Sequence, residues 1–334
     1  MPEFFDILKE LSSIPSPTGS EKTFAEKIAA IAKPFADEVR FDALGNLIVR
    51  KVGIGKKLML CAHMDTIGML ATYADDKGFI RFGPLGGLDT SALYNIPVTF
   101  VNGVEGVVSV DTKVPAKDRK TSNFYIDIGA ESKEDALKKV PIGTPAYFKG
   151  EARKLGEFKV SAPYLDNRAG VILLLMLISA LPETDYDLHF VFSVQEEVGL
   201  RGAKVAAFDI EPDFALAIDV TDTGDLPETD IIMDVKLGHG CAVKIMDRSV
   251  ICHPKITSAL QECAEKSGIP YQNEIMTDGG TDAGAIHLSG GGVISGGISI
   301  PTRYIHTPCE VCDLRDIDSA YKLLRAAIEK NIFF

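Results

Sequence analysis

Histidine and carboxylate side chains follow several apolar runs of this 334-residue sequence, and these residue types bind divalent cations or transfer protons. They are His63 and Asp65 after KLMLCA, Asp166 after KVSAPYL, the adjacent Glu196 and Glu197 after LHFVFSVQ, Asp219 after FALAI, and His306 within PTRYIH. Each signal is weak alone, because HxD is a common tripeptide and acids at a strand end usually cap a helix or face solvent. The repeated occurrence of these residue types directly after apolar runs indicates a shared functional site.

The apolar runs before these residues have the character of buried strands. Functional groups gather at the carboxyl ends of the strands in open α/β sheets, so we expect the imidazoles and carboxylates to meet at one rim. Unpaired acids there would repel one another and raise their own pKa values, whereas one or two divalent cations would remove the conflict. Two histidines with three carboxylates suit zinc, cobalt or manganese, and the lack of thiolate argues against a purely structural zinc site.

Five such ligands also suit two cations about 3.5–4 Å apart that share one carboxylate and one water. One glutamate of the adjacent pair would then remain free to act as a base. The chemistry that the residue types indicate is therefore metal-assisted hydrolysis.

Helical and strand-like segments alternate around these residues, as an α/β sheet requires. We predict helices at 3–12, from Thr18 onward with a capping box to Glu21, at 166–181, at 253–268 and at 315–331. Strands are predicted at 46–52, 57–63, 188–194, 214–219 and in the glycine-rich 291–301.

The segment 70–159 interrupts this alternation. Short Val, Ile and Phe runs are separated there by turn signals such as Asn102-Gly103, which favours a tight hairpin, and one short helix is expected near ESKEDALKKV. We therefore predict two domains. Residues 1–69 and 160–334 form an α/β domain, and 70–159 form an inserted β-rich domain.

Charge and composition limit the kinds of molecule that this protein binds and indicate where it is located. Acidic residues number 47 against 35 basic ones, a net charge of −12, which disfavours nucleic acid and anionic membrane surfaces as partners. The start of the chain lacks the features of a secretory signal, and the apolar run at 171–181 is shorter than the ~20 residues of a membrane span. We expect a cytoplasmic protein whose six scattered cysteines are reduced, with Cys309 and Cys312 half-buried rather than functional.

Six ordered motifs carry a resemblance to a known family. HMDTIG (63–68), LDNRAG (165–170), VQEEVGLRGA (194–203), AIDVT (217–221), DGGTDAGAIH (278–287) and PTRYIHTPCE (301–310) resemble the M42 family of dinuclear metalloaminopeptidases. The resemblance implies a mixed-sheet α/β catalytic domain of the zinc-peptidase type, with a small β-barrel-like dimerisation domain at 70–159. It also implies a homo-oligomer, in which dimers build to dodecamers, acting on short peptides.

By position, the resemblance implies two divalent cations, zinc, cobalt or manganese, in each subunit. His63 and Asp219 would hold one, Glu197 and His306 the other, and Asp166 would bridge them. Glu196 would be the general base that takes a proton from a bridging water, and Asp65 would orient His63 through its second ring nitrogen.

Two other functions stay open from the sequence. Paired carboxylates also hydrolyse glycosides, so an endoglucanase-like enzyme is one alternative, although the absence of Trp removes the best sugar-stacking side chain. A non-catalytic, metal-stabilised assembly protein is the other. Arg303 and Asp282 have no assigned role, and the preferred N-terminal residue cannot be read from the sequence.

Overall fold

The computed structural model describes residues 2–227, 229 and 232–333, and its helices and strands follow the alternation in the sequence. The helices are α1 (Pro2–Leu11), α2 (Lys22–Ala32), α3 (Lys133–Lys139), α4 (Leu165–Ser179), α5 (Arg201–Ile210), α6 (Pro254–Ser267), α7 (Ala283–Ile286) and α8 (Leu314–Glu329). The strands are β1 (Glu38–Phe41), β2 (Leu47–Lys51), β3 (Lys57–His63), β4 (Gly68–Ala74), β5 (Ile80–Leu85), β6 (Pro97–Phe100), β7 (Glu105–Val110), β8 (Phe124–Asp127), β9 (Pro145–Phe148), β10 (Arg153–Leu155), β11 (Lys159–Ala162), β12 (Asp187–Ser193), β13 (Phe214–Thr221), β14 (Cys241–Met246), β15 (Tyr271–Ile275), β16 (Ile294–Arg303) and β17 (Glu310–Asp313).

A large mixed sheet forms the main body of the protein. Its strand order is β1-β2-β12-β3-β13-β16-β17-β11-β10, with β14 and β15 joined beside β16. The four central strands β12, β3, β13 and β16 run parallel, so their carboxyl ends lie along one edge. The flanking strands are antiparallel, as in β2 against β12 and β17 against β16.

Helices cover both faces of this sheet, which is why its central strands are buried along nearly their whole length. β12 is buried at every position, with Phe190 and Phe192 facing one core and Val191 facing the other. On the first face α4 contacts β3 and β13 and is itself covered by α1, α2 and α8. This placement explains why α4 is buried almost all round. The second face is covered by α5 and α7.

A second, closed sheet has its own core. Its strand order is β4-β5-β8-β7-β6-β9, which forms a barrel between Gly68 and Phe148. Gly103 turns the β6–β7 hairpin at φ +89°, a conformation that glycine adopts without a Cβ penalty, as the Asn102-Gly103 signal predicts. The barrel lies almost wholly within the predicted insert 70–159, whereas β10 and β11 pair in the large sheet.

The predicted capping box of the second helix is wrong. α2 begins at Lys22, and no side chain caps its first turn. The Thr18 hydroxyl donates instead to Asp65 Oδ2 at 2.8 Å, and Glu21 Oε1 accepts the backbone N–H of Gly19 at 2.8 Å. The Thr18 hydroxyl therefore serves a long-range contact here, because Asp65 offers it a charged acceptor.

A search of the described chain for bilayer-spanning helices finds no helix of sufficient length and apolar character.

Candidate active site

The predicted site residues meet at the carboxyl edge of the parallel strands. His63 ends β3 and is level with Ser193 at the end of β12, from which the chain continues to Glu196 and Glu197. Asp219 lies near the end of β13. Together with Asp166 and His306, these side chains line a cleft of about 480 Å³. The sheet topology thus brings together segments that are far apart in sequence.

The first group of possible metal ligands consists of His63, Asp166 and Asp219. Nε2 of His63 lies 2.9 Å from Asp166 Oδ1 and 3.6 Å from Asp219 Oδ1. Asp219 Oδ2 also accepts a hydrogen bond of 2.7 Å from the hydroxyl of Thr281. All three members of the group are less than 10% exposed, so their charges are poorly solvated.

The second group consists of Asp166, Glu197 and His306. Nε2 of His306 lies 3.3 Å from Asp166 Oδ2 and 3.3 Å from Glu197 Oε2. Asp166 belongs to both groups and uses a different carboxylate oxygen in each. This geometry matches a carboxylate that bridges two cations.

Asp166 is placed by the start of α4. Its backbone and that of Asn167 have non-helical angles inside the first turn of this helix. The Asn167 amide donates to the Ile218 carbonyl at 2.7 Å, and its oxygen accepts from Gly170 N at 2.9 Å. Asn167 therefore ties the beginning of α4 to the strand that carries Asp219.

The electrostatics of the cleft favour bound cations. Burial raises the pKa of Glu197 to about 7, although the hydrogen bond with His306 opposes the shift. Burial lowers the pKa of His306, but contacts with Asp166 and Glu197 outweigh it and raise that pKa to about 12. Glu197 Oε1 is buried and has no hydrogen-bond partner within the described chain. Carboxylate and imidazole donors, one of them orphaned, fit divalent cations such as zinc, cobalt or manganese.

Glu196 stands apart from both ligand groups. Its Oε2 lies 3.9 Å from His63 Nε2, so the carboxylate faces the same cleft. Burial raises the pKa of Glu196 well above its usual range. A desolvated carboxylate beside a metal site has the properties of a proton acceptor.

Asp65 holds the segment that carries both glutamates. Its Oδ1 accepts the backbone N–H of Glu196 at 2.9 Å, and its Oδ2 accepts that of Glu197 at 3.2 Å. The His63 ring nitrogen Nδ1 lies 3.0 Å from the Asp65 carbonyl and 3.6 Å from its carboxylate. The nearest partner of Nδ1 is thus the backbone carbonyl of Asp65, while the Asp65 carboxylate holds the backbone of the glutamate pair.

Two glycines let the barrel approach the site. A Cβ added at Gly86 would lie 2.8 Å from Glu197 Oε2, and one at Gly87 would lie 2.8 Å from His306 Nδ1. Both glycines follow β5, so a barrel loop packs directly against the second ligand group. Side chains at these positions would displace a proposed ligand.

Glu310 is a site residue that the sequence reasoning missed. It is 1% exposed at the start of β17, and its two oxygens accept the backbone N–H groups of Asp166 at 2.9 Å and His306 at 3.0 Å. One carboxylate therefore joins the backbones of two possible ligands. Its sequence signal was its place as the last residue of the motif PTRYIHTPCE, at the beginning of the short strand EVCD.

Glu310→Gln is expected to weaken metal binding or activity by about tenfold to a hundredfold, the usual cost of losing a group that orients a metal ligand. The amide replaces one acceptor oxygen with a donor that faces a backbone N–H. Metal titration followed by mass spectrometry, together with initial rates, measures the effect. Glu329→Gln, at the exposed end of α8, is the matched control and should change neither. Equal behaviour of the two variants would show that Glu310 does not position the ligands.

The structure also places the residues to which the sequence assigned no role. Arg303 makes a two-point ion pair with Asp225, at 3.0 Å and 2.5 Å. Asp282 is buried and accepts hydrogen bonds from Ser193 and Cys61. Cys309 is exposed and Cys312 is buried, both as free thiols, so the expectation that both are half-buried is wrong.

Comparison with known proteins identifies the class. The model of the family described as M42 glutamyl aminopeptidase matches residues 45–323. A putative aminopeptidase of Acetivibrio thermocellus is 50% identical over 98% of both chains. The solved aminopeptidase APDkam598 of the archaeon Desulfurococcus kamchatkensis superposes with a TM-score of 0.94 at 37% identity, covering 98% of this chain and 95% of that one. The Pyrococcus horikoshii TET1 peptidase, which can assemble into a tetrahedron or a large octahedral shell, gives a TM-score of 0.88 at 35% identity over 97% and 99% of the two chains.

The fold and cleft are those of an α/β peptidase of the zinc-peptidase type, which confirms the predicted fold class. The chain belongs to the M42 family of aminopeptidases, and it is a peptidase.

Proposed function

We propose that this protein is an aminopeptidase that uses two divalent cations to release N-terminal residues from short peptides. His63 and Asp219 would hold one cation, Glu197 and His306 would hold the other, and Asp166 would be shared by both. The observation that carries the proposal is the shared position of Asp166, whose two oxygens face two separate ligand groups. Glu196, outside both groups, is left free for proton transfer.

The cations would supply Lewis acidity toward a water molecule and toward the scissile carbonyl. Glu196 acts as the general base and accepts the proton of the attacking water. It then donates this proton to the departing amine, so its charge is restored after each turnover. Asp65 keeps Glu196 in place through the backbone N–H that it accepts.

The proposal also includes an oligomeric state and a cellular compartment. The barrel, residues 70–159 in the predicted boundaries, is proposed as a dimerisation domain, with dimers that build to dodecamers. The likeness to the TET1 peptidase supports this assignment. We also propose that the enzyme acts in the cytoplasm, in keeping with its six cysteines, all of which are free thiols. Light scattering measures the stoichiometry.

The test of the function compares free and blocked N-termini. Aminoacyl chromogenic substrates should be hydrolysed after the protein is loaded with zinc, cobalt or manganese, and chelator should abolish the hydrolysis. The matching N-acetylated substrates should not be cleaved, because an aminopeptidase requires the free amine. Bound metal without any aminoacyl release would contradict the proposal and would favour a non-catalytic assembly protein. Hydrolysis of cellulose in excess chelator would favour the endoglucanase-like alternative.

A further inference from the structure

One charged side chain in the cleft has no part in the chemistry proposed above. The ionisable residues that line the cleft are those of the two ligand groups, Glu196, and Asp222. Asp222 directly follows β13 and is half-buried. It makes no hydrogen bond or ion pair within the described chain, unlike Asp225 three residues later, which is paired with Arg303. Its charge is therefore available to a molecule in the cleft.

Charge balance makes Asp222 distinctive in the loaded enzyme. Two divalent cations would balance the four negative charges of Asp166, Glu197, Asp219 and Glu196. The carboxylate of Asp222 then remains uncompensated in a partly desolvated cleft, where a substrate cation would interact with it more strongly than in water. An acidic substrate side chain would be repelled there.

The rest of the cleft wall is largely apolar. It is lined by Leu200, Val220, Met276 and Ile305, together with three glycines and Thr221. Lysine and arginine carry long aliphatic stems that pack on such surfaces while their charged ends reach a polar group. An apolar wall with a single unpaired carboxylate has the chemistry of a receptor for these two side chains.

We infer that Asp222 makes the cleft selective for peptides whose N-terminal residue is lysine or arginine, an inference that rests on the proposed aminopeptidase function. The selected charge is opposite to that of the glutamyl substrate in the description of the family model. Asp222 is thus a specificity-determining residue, and the steps of hydrolysis do not require it.

The experiment compares lysyl with norleucyl aminomethylcoumarin, because norleucine has the same four-carbon stem without the ammonium group. The wild type should show a kcat/KM on the order of tenfold higher for lysine, in the range of a hydrogen-bonded charge pair. Asp222→Asn should bring this ratio to about one while leaving the norleucyl rate unchanged. Asp222→Lys should raise the glutamyl rate relative to the lysyl rate. Asp278→Asn, an exposed acid on the neighbouring loop that does not line the cleft, is the matched control and should keep the wild-type ratio.

Salt provides a second measurement, because an interaction between partly solvated charges is screened by ions. The lysine preference of the wild type should fall severalfold between low and high ionic strength, and the norleucyl rate should not follow it. Equal loss of lysyl and norleucyl activity in Asp222→Asn would overturn the inference, since the acid would then contact the α-ammonium group that both share.

Binding separates this inference from the proposed function. Calorimetry on the metal-loaded Glu196→Gln variant, with and without Asp222→Asn, measures the affinity for lysinamide and norleucinamide without turnover. Tighter binding of lysinamide that depends on Asp222 supports the inference even if no substrate is hydrolysed. Equal binding of the two amides overturns the inference. The proposed function still stands in that case if the wild-type enzyme cleaves the norleucyl substrate.

Discussion

Glu196→Gln is expected to lower kcat by about two decades or more while leaving the bound metal unchanged. The loss follows from removal of the general base, whose contribution is commonly in the range of 10² to 10⁴. Metal binding should persist because Glu196 belongs to neither ligand group. Glutamine keeps the shape of the side chain and the backbone N–H that Asp65 accepts, so the segment should stay in place. Elemental analysis and initial rates on the same preparation measure both quantities.

The adjacent Glu197→Gln variant is the control with the opposite expectation. Glu197 contacts His306 in the second ligand group. The glutamine that replaces it should therefore reduce the metal content by about one ion per chain, and the rate should fall as well. Excess metal should partly restore Glu197→Gln and should not restore Glu196→Gln. If Glu196→Gln stayed fully active, or lost metal as Glu197→Gln does, the separation of roles between the two glutamates would be wrong.

Asp166→Asn is expected to remove metal from both sites and to reduce turnover to background. Each Asp166 oxygen faces one ligand group, and its carboxylate carries the negative charge that both share. An asparagine side chain is neutral and offers only one, weaker acceptor oxygen, so one group loses this ligand and the other keeps it in a weaker form. Titration with zinc or cobalt should therefore show weaker binding at both sites.

Comparison of Asp219→Asn with Asp166→Asn distinguishes a ligand that serves one site from a ligand that both sites share. Asp219 contacts only the His63 side, so this variant should lose about one ion per chain and keep the other. Retention of both ions in Asp166→Asn would show that the carboxylate does not bridge two cations. Circular dichroism on each variant checks that the fold is intact, since the backbone N–H of Asp166 also donates a hydrogen bond to the Glu310 carboxylate.

Much of the fold follows from local patterns in the sequence. Continuously apolar runs indicated β3, β12 and β13, and their polar ends indicated where a site would form, because parallel buried strands share one carboxyl edge. The dense turn signals after residue 70 indicated the separate barrel. These features depend on periodicity and turn chemistry, which act within a few residues and are therefore visible in the sequence alone.

Local patterns also misled in one place. Thr18 and Glu21 have the spacing of a capping box. In the structure Thr18 contacts Asp65 instead, and the Glu21 carboxylate accepts a hydrogen bond from the backbone N–H of Gly19. A hydroxyl group can form a hydrogen bond with any donor or acceptor that the fold brings near it. The competing partner of Thr18 lies 47 positions away in sequence, so no local rule could identify it.

The amino-acid sequence by itself determined which residue types were available for metal binding and proton transfer, which strands would be buried, and that six ordered motifs resemble one family. Only the tertiary structure decided that Asp166 faces two ligand groups, that Glu310 joins the backbones of Asp166 and His306, and that Asp222 has no partner among the described residues around the cleft. The physical reason is that burial and strand order depend on short-range patterns, whereas distances among side chains from separate strands exist only after the sheet has brought those strands together.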